Sequence, residues 1–132
     1  MDTVALVDKY PSSDERVLAE QIVRSGGGPA SVAAVALSRL GVKSAIVGTI
    51  GDDKDGQTVL EIFNNEGVDT SGVSIQHGAT SGSVIVASKS ESSRAISTRQ
   101  PVIQSSPNEY AKKIAANSNW VHVDHVGINL LN

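Results

Sequence analysis

An α/β fold is predicted, a parallel sheet flanked by helices with a β-hairpin appended to it. Two observations predict it. Helix-spaced and strand-forming runs alternate along the 132 residues, as a parallel sheet with crossover helices requires. One further pair of β-prone runs flanks a short polar tip, as a hairpin does.

The first strand candidate is "DTVALVDKYP", directly after Met1. The next stretch, "GGGPASVAAVALSRLG" from Gly26 to Gly41, turns from glycines into a helix. Ala33, Ala36, Leu37 and Leu40 fall at helical spacing there, with Pro29 near the start and Gly41 as the stop. "VKSAIVGTIG" follows as a β-rich run. "DKDGQTVLEIFNNEG" is a second helix, with Val59, Ile62 and Phe63 on one face and a stop at Asn65 and Gly67. "SGSVIVAS" and "RAISTR" form the predicted hairpin around "KSESS". In "SSPNEYAKKIAANSN" the spacing predicts a third helix, with Ser106 as N-cap, Pro107 at its first position, Glu109 completing a capping box and Asn117 near the stop. "WVHVDHVG" is read as a closing strand. A strand candidate at the very start and "INLLN" after the last one predict an incomplete body, because an α/β sheet left open there exposes pairing edges.

Composition narrows the function classes. Aromatic residues make up 3% of the chain and its net charge is −3, without a basic run. Stacking platforms and phosphate-neutralising surfaces are therefore scarce, and nucleic acid is not an expected partner. There are no cysteines, so disulfides, thiolate metal sites and cysteine nucleophiles are excluded, in keeping with a reducing cytoplasm. No long apolar run or leader is visible, and a soluble, cytoplasmic protein with no membrane partner is expected.

Several motifs invite chemistry. Three consecutive glycines at a helix entry carry a conformational cost that makes sense where something approaches the backbone closely. Free N–H groups at that point can also cradle an anion, or the run can serve only as a tight reversal. "GTIGDDKDG" places Asp52, Asp53 and Asp55 between Gly51 and Gly56. Its spacing misses the calcium-loop pattern, and the acids are read as caps of the following helix. In "HVDH", a strand would put His122 and Asp124 on one face and His125 on the other, too few convergent ligands for a metal. His125 or Asp124 is the substrate-lining candidate there. His77 reads as a solvated loop residue, and no G-x-S-x-G elbow supports serine hydrolase chemistry.

Taken together, "DTVALVDKYP", "GGGPASVAAVALSRLG", "VGTIGDDKDG", "NNEGVDTSGV" and "TSGSVIVASKSESSRAIST" resemble, in order and spacing, the N-terminal part of the ribokinase-like PfkB carbohydrate kinase family. The resemblance runs over nearly the whole chain. It implies one incomplete ribokinase-like α/β domain over residues 1–132, with β-lid segments at about 3–25 and 81–99 that often double as a dimer contact. It also implies transfer of the ATP γ-phosphoryl group to a hydroxyl of a sugar or related small molecule. Carried over by position, Asp2 is the acid that accepts hydrogen bonds from substrate hydroxyls, and Gly27 and Gly28 are the pair whose bare backbone lies against the sugar. Arg94 matches a lid arginine of varying role. Where the family has a sugar-binding Asn, this chain has Val32, which neither donates nor accepts; Ser31 is the alternative contact and His125 a further one. A standard hexose is therefore not assumed.

The family's catalytic Asp, in a glycine-rich "GAGD"-type motif at a helix N-terminus, has no counterpart in this sequence, so no catalytic residue and no metal ligand is assigned. ATP and Mg²⁺ are expected to be bound mainly outside these residues, and the chain alone is expected to be inactive. A different class of function is an inactive homologue that persists as a binding or dimerisation module. A nucleotide-binding Rossmann half ranks last, because its G-x-G-x-x-G fingerprint is missing.

Overall fold

A computed structural model describes residues 1–99 and 107–130. The chain forms two compact units, Met1–Ser25 with Ser81–Gln100 and Gly26–Thr80 with Pro101–Asn132.

The first unit is a four-stranded sheet of β1 (Asp2–Val7), β2 (Ala19–Ser25), β5 (Gly82–Ser88) and β6 (Ser93–Arg99), in the order β2-β1-β5-β6. β2 runs antiparallel to β1, β5 parallel to β1, and β6 antiparallel to β5. The predicted hairpin is β5–β6. The side chains of laterally paired residues share a face, so Val23, Val4, Ile85 and Ile96 form one apolar row across all four strands. Burial concentrates at one end of the sheet, where Val7 and its register partner Ser88 are both 3% exposed. The β1 terminus continues the pairing, since Lys89 N–H donates to the Val7 carbonyl at 3.0 Å and Ser90 N–H to that of Asp8 at 2.9 Å. The outer strands β2 and β6 are exposed throughout.

The second unit is built on β3 (Ala45–Gly51) and β4 (Asp69–Gln76), a parallel pair joined through α2 (Lys54–Asn65). Parallel neighbours need such a crossover. α1 (Pro29–Arg39) precedes β3, and α3 (Glu109–Asn117) packs on β4. The core gathers Ala34, Phe63 and Val68, with Val35, Ile46 and Val59 packed around them. Val59 and Phe63 thus hold the inward face expected of α2, and Gly67 ends the helix region at φ 71. Ser38 Oγ ties α1 to the end of α2 by donating to the Glu66 carbonyl at 2.5 Å, beside an Arg39–Glu66 ion pair.

Three expectations need correction. α1 buries Ala34 and packs Val35 inward, whereas Leu37 is 42% and Leu40 79% exposed, so the 33/36/37/40 stripe is not its core face. The helix is apolar nearly all round, and periodicity alone cannot choose a side. α3 begins at Glu109 with Asn108 as N-cap, its Oδ1 accepting the Ala111 N–H at 2.7 Å; Ser106, the expected cap, lies outside the described residues. "WVHVDHVG" forms no strand. Trp120 is 93% exposed, and the segment ends in a short 3₁₀ turn over Gly127–Leu130. Among the described strands none pairs with it, and an extended segment without a partner has no ladder bonds to hold it. The alternating faces assigned to His122, Asp124 and His125 therefore do not exist.

Candidate functional site

The acid-rich turn proves structural. Asp53 is the N-cap of α2, and its Oδ1 accepts the Gly56 N–H at 2.9 Å. The same carboxylate accepts the Thr80 hydroxyl at 2.6 Å and the Thr80 N–H at 3.0 Å. Thr80 is 4% exposed, and its Oγ1 in turn accepts the Gly51 N–H at 3.0 Å. Asp52 accepts the Gly78 N–H at 3.0 Å and pairs with His77 Nδ1 at 2.9 Å. The acids therefore bolt the β3–α2 turn onto the Gly78–Thr80 turn. Packing there excludes any side chain at Gly51, where a Cβ would stand 2.0 Å from the Gly78 carbonyl oxygen, or at Gly56, where it would stand 2.2 Å from that of Gly51. Hydrogen bonding from Gly78 and then from His77 holds Asp52 below the usual carboxylate range, and Asp52 raises the His77 imidazole. His77 is solvated as expected, with Asp52 as its partner.

The glycine run behaves differently. Gly28 is the N-cap of α1 at φ 95, ψ 137, a backbone conformation essentially reserved for glycine, and it supplies no side-chain cap. Its carbonyl accepts the Val32 N–H at 3.0 Å, which closes the first turn. Among the described residues a Cβ at Gly28 would meet only Ser31 Oγ at 3.8 Å, and one at Gly26 would meet nothing within 4 Å. Gly28 is thus required by its dihedral angle and not by crowding from the described residues, since the Ser31 hydroxyl would stand only in ordinary van der Waals contact with its side chain. Ser31 is partly buried in the first turn, and Val32 is 59% exposed.

The oxygen that α1 lacks at its start is supplied by Asp124. Its Oδ2 accepts the Ala30 N–H at 3.4 Å, and its Oδ1 accepts the N–H groups of Val126 at 3.0 Å and Gly127 at 2.8 Å. Burial pushes this carboxyl up, but the Gly127, Ala30 and Val126 amides outweigh it and leave the group below its ordinary value. His125 and His122 are exposed. Sequence reading offered Asp124 as a strand residue and a substrate-lining candidate, and not as a partner of the α1 amino end. Its D-x-x-G spacing to Gly127 is a turn signal that was available.

On the four-stranded sheet, Asp2 stands in a row with Ser25, Ser83 and Thr98. Ser83 Oγ and Thr98 Oγ1 are 3.3 Å apart. Arg94 pairs with Ala87, and Ala87 with Leu6, on the same face as Asp2. Asp2 is also the register partner of Ser25, and Gly27 follows that serine two residues along the chain. Among the described residues no three His, Cys, Asp or Glu side chains gather so as to hold a metal ion. No helix among them is long and apolar enough to cross a membrane.

Comparison with known proteins agrees with this architecture. The pattern of the pfkB family carbohydrate kinases matches residues 1–129. A fructokinase from Solanum tuberosum is 36% identical over 92 residues, covering 67% of this chain and 28% of that protein. A 5-dehydro-2-deoxygluconokinase from Clostridium botulinum is 41% identical over 68 residues, covering 49% of this chain and 20% of that protein. The chain thus spans about a quarter of the length of these relatives. In structure it is similar to the ribokinase of Cryptococcus neoformans solved with ADP, at a TM-score of 0.66 and 23% identity, covering 82% of this chain and 34% of that one. It is likewise similar to the Arabidopsis thaliana ribokinase complexed with ribose and ATP, at a TM-score of 0.63 and 21% identity, covering 76% and 33%. The fold is that of the ribokinases, present in part, and the chain belongs to the pfkB family of carbohydrate kinases.

Proposed function

We propose that these residues are the substrate-binding portion of an ATP-dependent kinase that transfers the γ-phosphoryl group to a hydroxyl of a sugar or related small molecule. The family match over residues 1–129 carries this reading. In it, the Asp2 carboxylate accepts hydrogen bonds from substrate hydroxyls, and the Gly27 and Gly28 backbone forms a wall against which the sugar lies. The uncrowded backbone at Gly28 and its glycine-only dihedral angle support that role. Ser31 meets the hydroxyl that Val32 cannot, and His125 adds a contact from the C-terminal segment. A side chain that neither donates nor accepts leaves a buried hydroxyl unpaired at a cost of about 1–3 kcal/mol, so without the Ser31 contact the substrate lacks that hydroxyl or binds displaced.

The strands of the first unit, over about 3–25 and 81–99, act as a lid whose closure excludes water and aligns the reactants. ATP supplies the phosphoryl group, with Mg²⁺ to offset its charge. Because the family's GAGD-type catalytic motif has no counterpart in this sequence, no step of the transfer is assigned to a residue of this chain, and the 132 residues alone are read as inactive. A cytoplasmic setting fits this role.

A second reading, a binding or dimerisation module, is favoured by one observation. Ile22 and Val84, on one face of the four-stranded sheet, are 67% and 58% exposed, an apolar surface that suits a second copy of the sheet. Two measurements separate the readings. The kinase reading expects sugar-dependent ATP consumption from a protein in which this sequence continues into a GAGD-type motif, and none from the 132 residues. Failure of such a protein across a panel of sugars and nucleosides, together with stable dimers of the 132-residue chain in sedimentation equilibrium, favours the module.

A further inference from the structure

A polar row crosses the four-stranded sheet from edge to edge. In strand order it is Ser25, Asp2, Ser83 and Thr98, laterally paired and so on one face. The Ser83 N–H donates to the Met1 carbonyl at 2.9 Å, which pins Ser83 beside Asp2. Asp2 is half-buried, and its carboxylate has no hydrogen-bond or ion-pair partner among the described residues. A carboxylate only accepts, so its donors come from water or from a ligand. Ser83 Oγ and Thr98 Oγ1 stand 3.3 Å apart, longer than the usual hydroxyl pair at about 2.8 Å. Little is lost when a ligand hydroxyl takes the place of that contact. Each hydroxyl carries one donor and two acceptor sites, so the pair can both give and take a hydrogen bond. The neighbouring row on the same face, Val23, Val4, Ile85 and Ile96, is apolar. Hydroxyl and carboxylate groups beside an apolar strip match a polyol, which presents hydroxyls alongside C–H groups.

We propose that Ser83 and Thr98 are a second hydroxyl-binding pair that extends the Asp2 contact along this row and selects among polyols. The inference rests on the reading of Asp2 as an acceptor for substrate hydroxyls. A ligand that reaches from the Asp2 carboxylate to the pair on β5 and β6 crosses one strand spacing, about 4.8 Å. It therefore offers hydroxyls on carbons that are not neighbours, with its C–H groups over Val4 and Ile85. An epimer that turns one of those hydroxyls away loses a partner. Ser83 and Thr98 act as specificity residues and take no part in the transfer.

The test uses the ¹⁵N-labelled chain, with fructose and sorbitol as probes and the Thr3, Val84 and Ser97 amides as reporters. Dispersed amide spectra report that each variant remains folded. Both probes are expected to shift the three reporters, and Ser83→Ala or Thr98→Val to weaken binding about fivefold, the loss of one net hydrogen bond. The double variant weakens it by less than the product of the two, because the hydroxyls act as a pair. Ser83→Thr and Thr98→Ser keep a hydroxyl and stay within about twofold of the unsubstituted chain. Ser97→Ala, one residue along β6 and on the opposite face, leaves binding unchanged. Binding that ignores both Ser83→Ala and Thr98→Val, or that falls equally in Ser97→Ala, overturns the proposal. Asp2→Ala separates the two readings. If it alone weakens binding, Asp2 holds the substrate and the second pair is refuted; if only the Ser83 and Thr98 variants do, the pair stands and the Asp2 reading fails. Reporters that answer to neither probe overturn both.

Discussion

Replacing Asp53 with Ala tests whether one carboxylate joins two turns of the β3–β4 unit. The substitution removes the α2 N-cap acceptor for Gly56 N–H and the acceptor for both the hydroxyl and the N–H of Thr80. Loss of a cap costs about 1 kcal/mol. Taking an acceptor away from a buried donor costs about 1–3 kcal/mol, and Thr80 is 4% exposed. The sum is about 2–4 kcal/mol. With a urea dependence of about 1.5 kcal/mol per molar, the unfolding midpoint falls by about 1.3–2.7 M. Equilibrium unfolding followed by far-UV circular dichroism reads the shift. A cycle with Thr80→Val isolates the pair, and the coupling is expected to reach about 1 kcal/mol because the two side chains share one network. A midpoint that moves by less than about 0.3 M, or single effects that simply add, refutes the proposed joint.

Gly51→Ala forces a Cβ to within 2.0 Å of the Gly78 carbonyl, and thermal denaturation should show a loss of about 1–3 kcal/mol; an unchanged melting temperature contradicts the packing described. Gly28→Ala meets no crowding but takes a positive φ of 95°, so a cost of about 1–3 kcal/mol comes from backbone strain, with weaker sugar-induced shifts at the turn; full stability in chemical denaturation would argue against that conformation. For the exposed His77–Asp52 pair, the histidine is raised by its hydrogen bond to Asp52, so its contribution is full below the ordinary value of 6.5 and is lost as pH rises through the raised value. Asp52 is lowered, first by Gly78 and then by His77, so its contribution is present above its ordinary value of 3.8 and is lost as pH falls through the lowered one. Imidazole NMR titration should find His77 returning toward its ordinary value in Asp52→Asn, and an unchanged titration removes the pairing.

Much of the fold could be read from local signals, because those signals are themselves the local physics. Gly67, at φ 71, ends the α2 region where the sequence places the stop, and Val59 and Phe63 sit inward as their spacing requires. The hairpin was legible from two β-prone runs around a polar tip. β4 was not. Its sequence "DTSGVSIQ" is polar and carries Gly72, and what makes it a strand is β3 beside it, a long-range pairing that composition does not encode. Gly72 is there for packing, since a Cβ would stand 2.9 Å from the Val47 side chain. The 120–127 segment failed in the opposite sense, with strand-forming residues that find no strand to pair with among those described. At the candidate site, the glycine run announced itself through its conformational cost. The contact of Asp124 with Ala30 spans 94 positions, and no local pattern reveals such a contact.

The parallel pairing of β1 with β5 has a kinetic consequence. Met1 and Ser81 are 80 residues apart in sequence, yet the amino-terminal ammonium donates to the Ser81 carbonyl at 2.9 Å. During synthesis β1 and β2 emerge before β5 and wait for their third strand until the residues between them have been made. The β3–α2–β4 crossover closes over far shorter separations. Its contacts therefore form first, and the four-stranded sheet assembles late, as topologies with high contact order do. Until then an apolar two-stranded ribbon stands unprotected, and that interval is when the nascent protein is most exposed to wrong pairings.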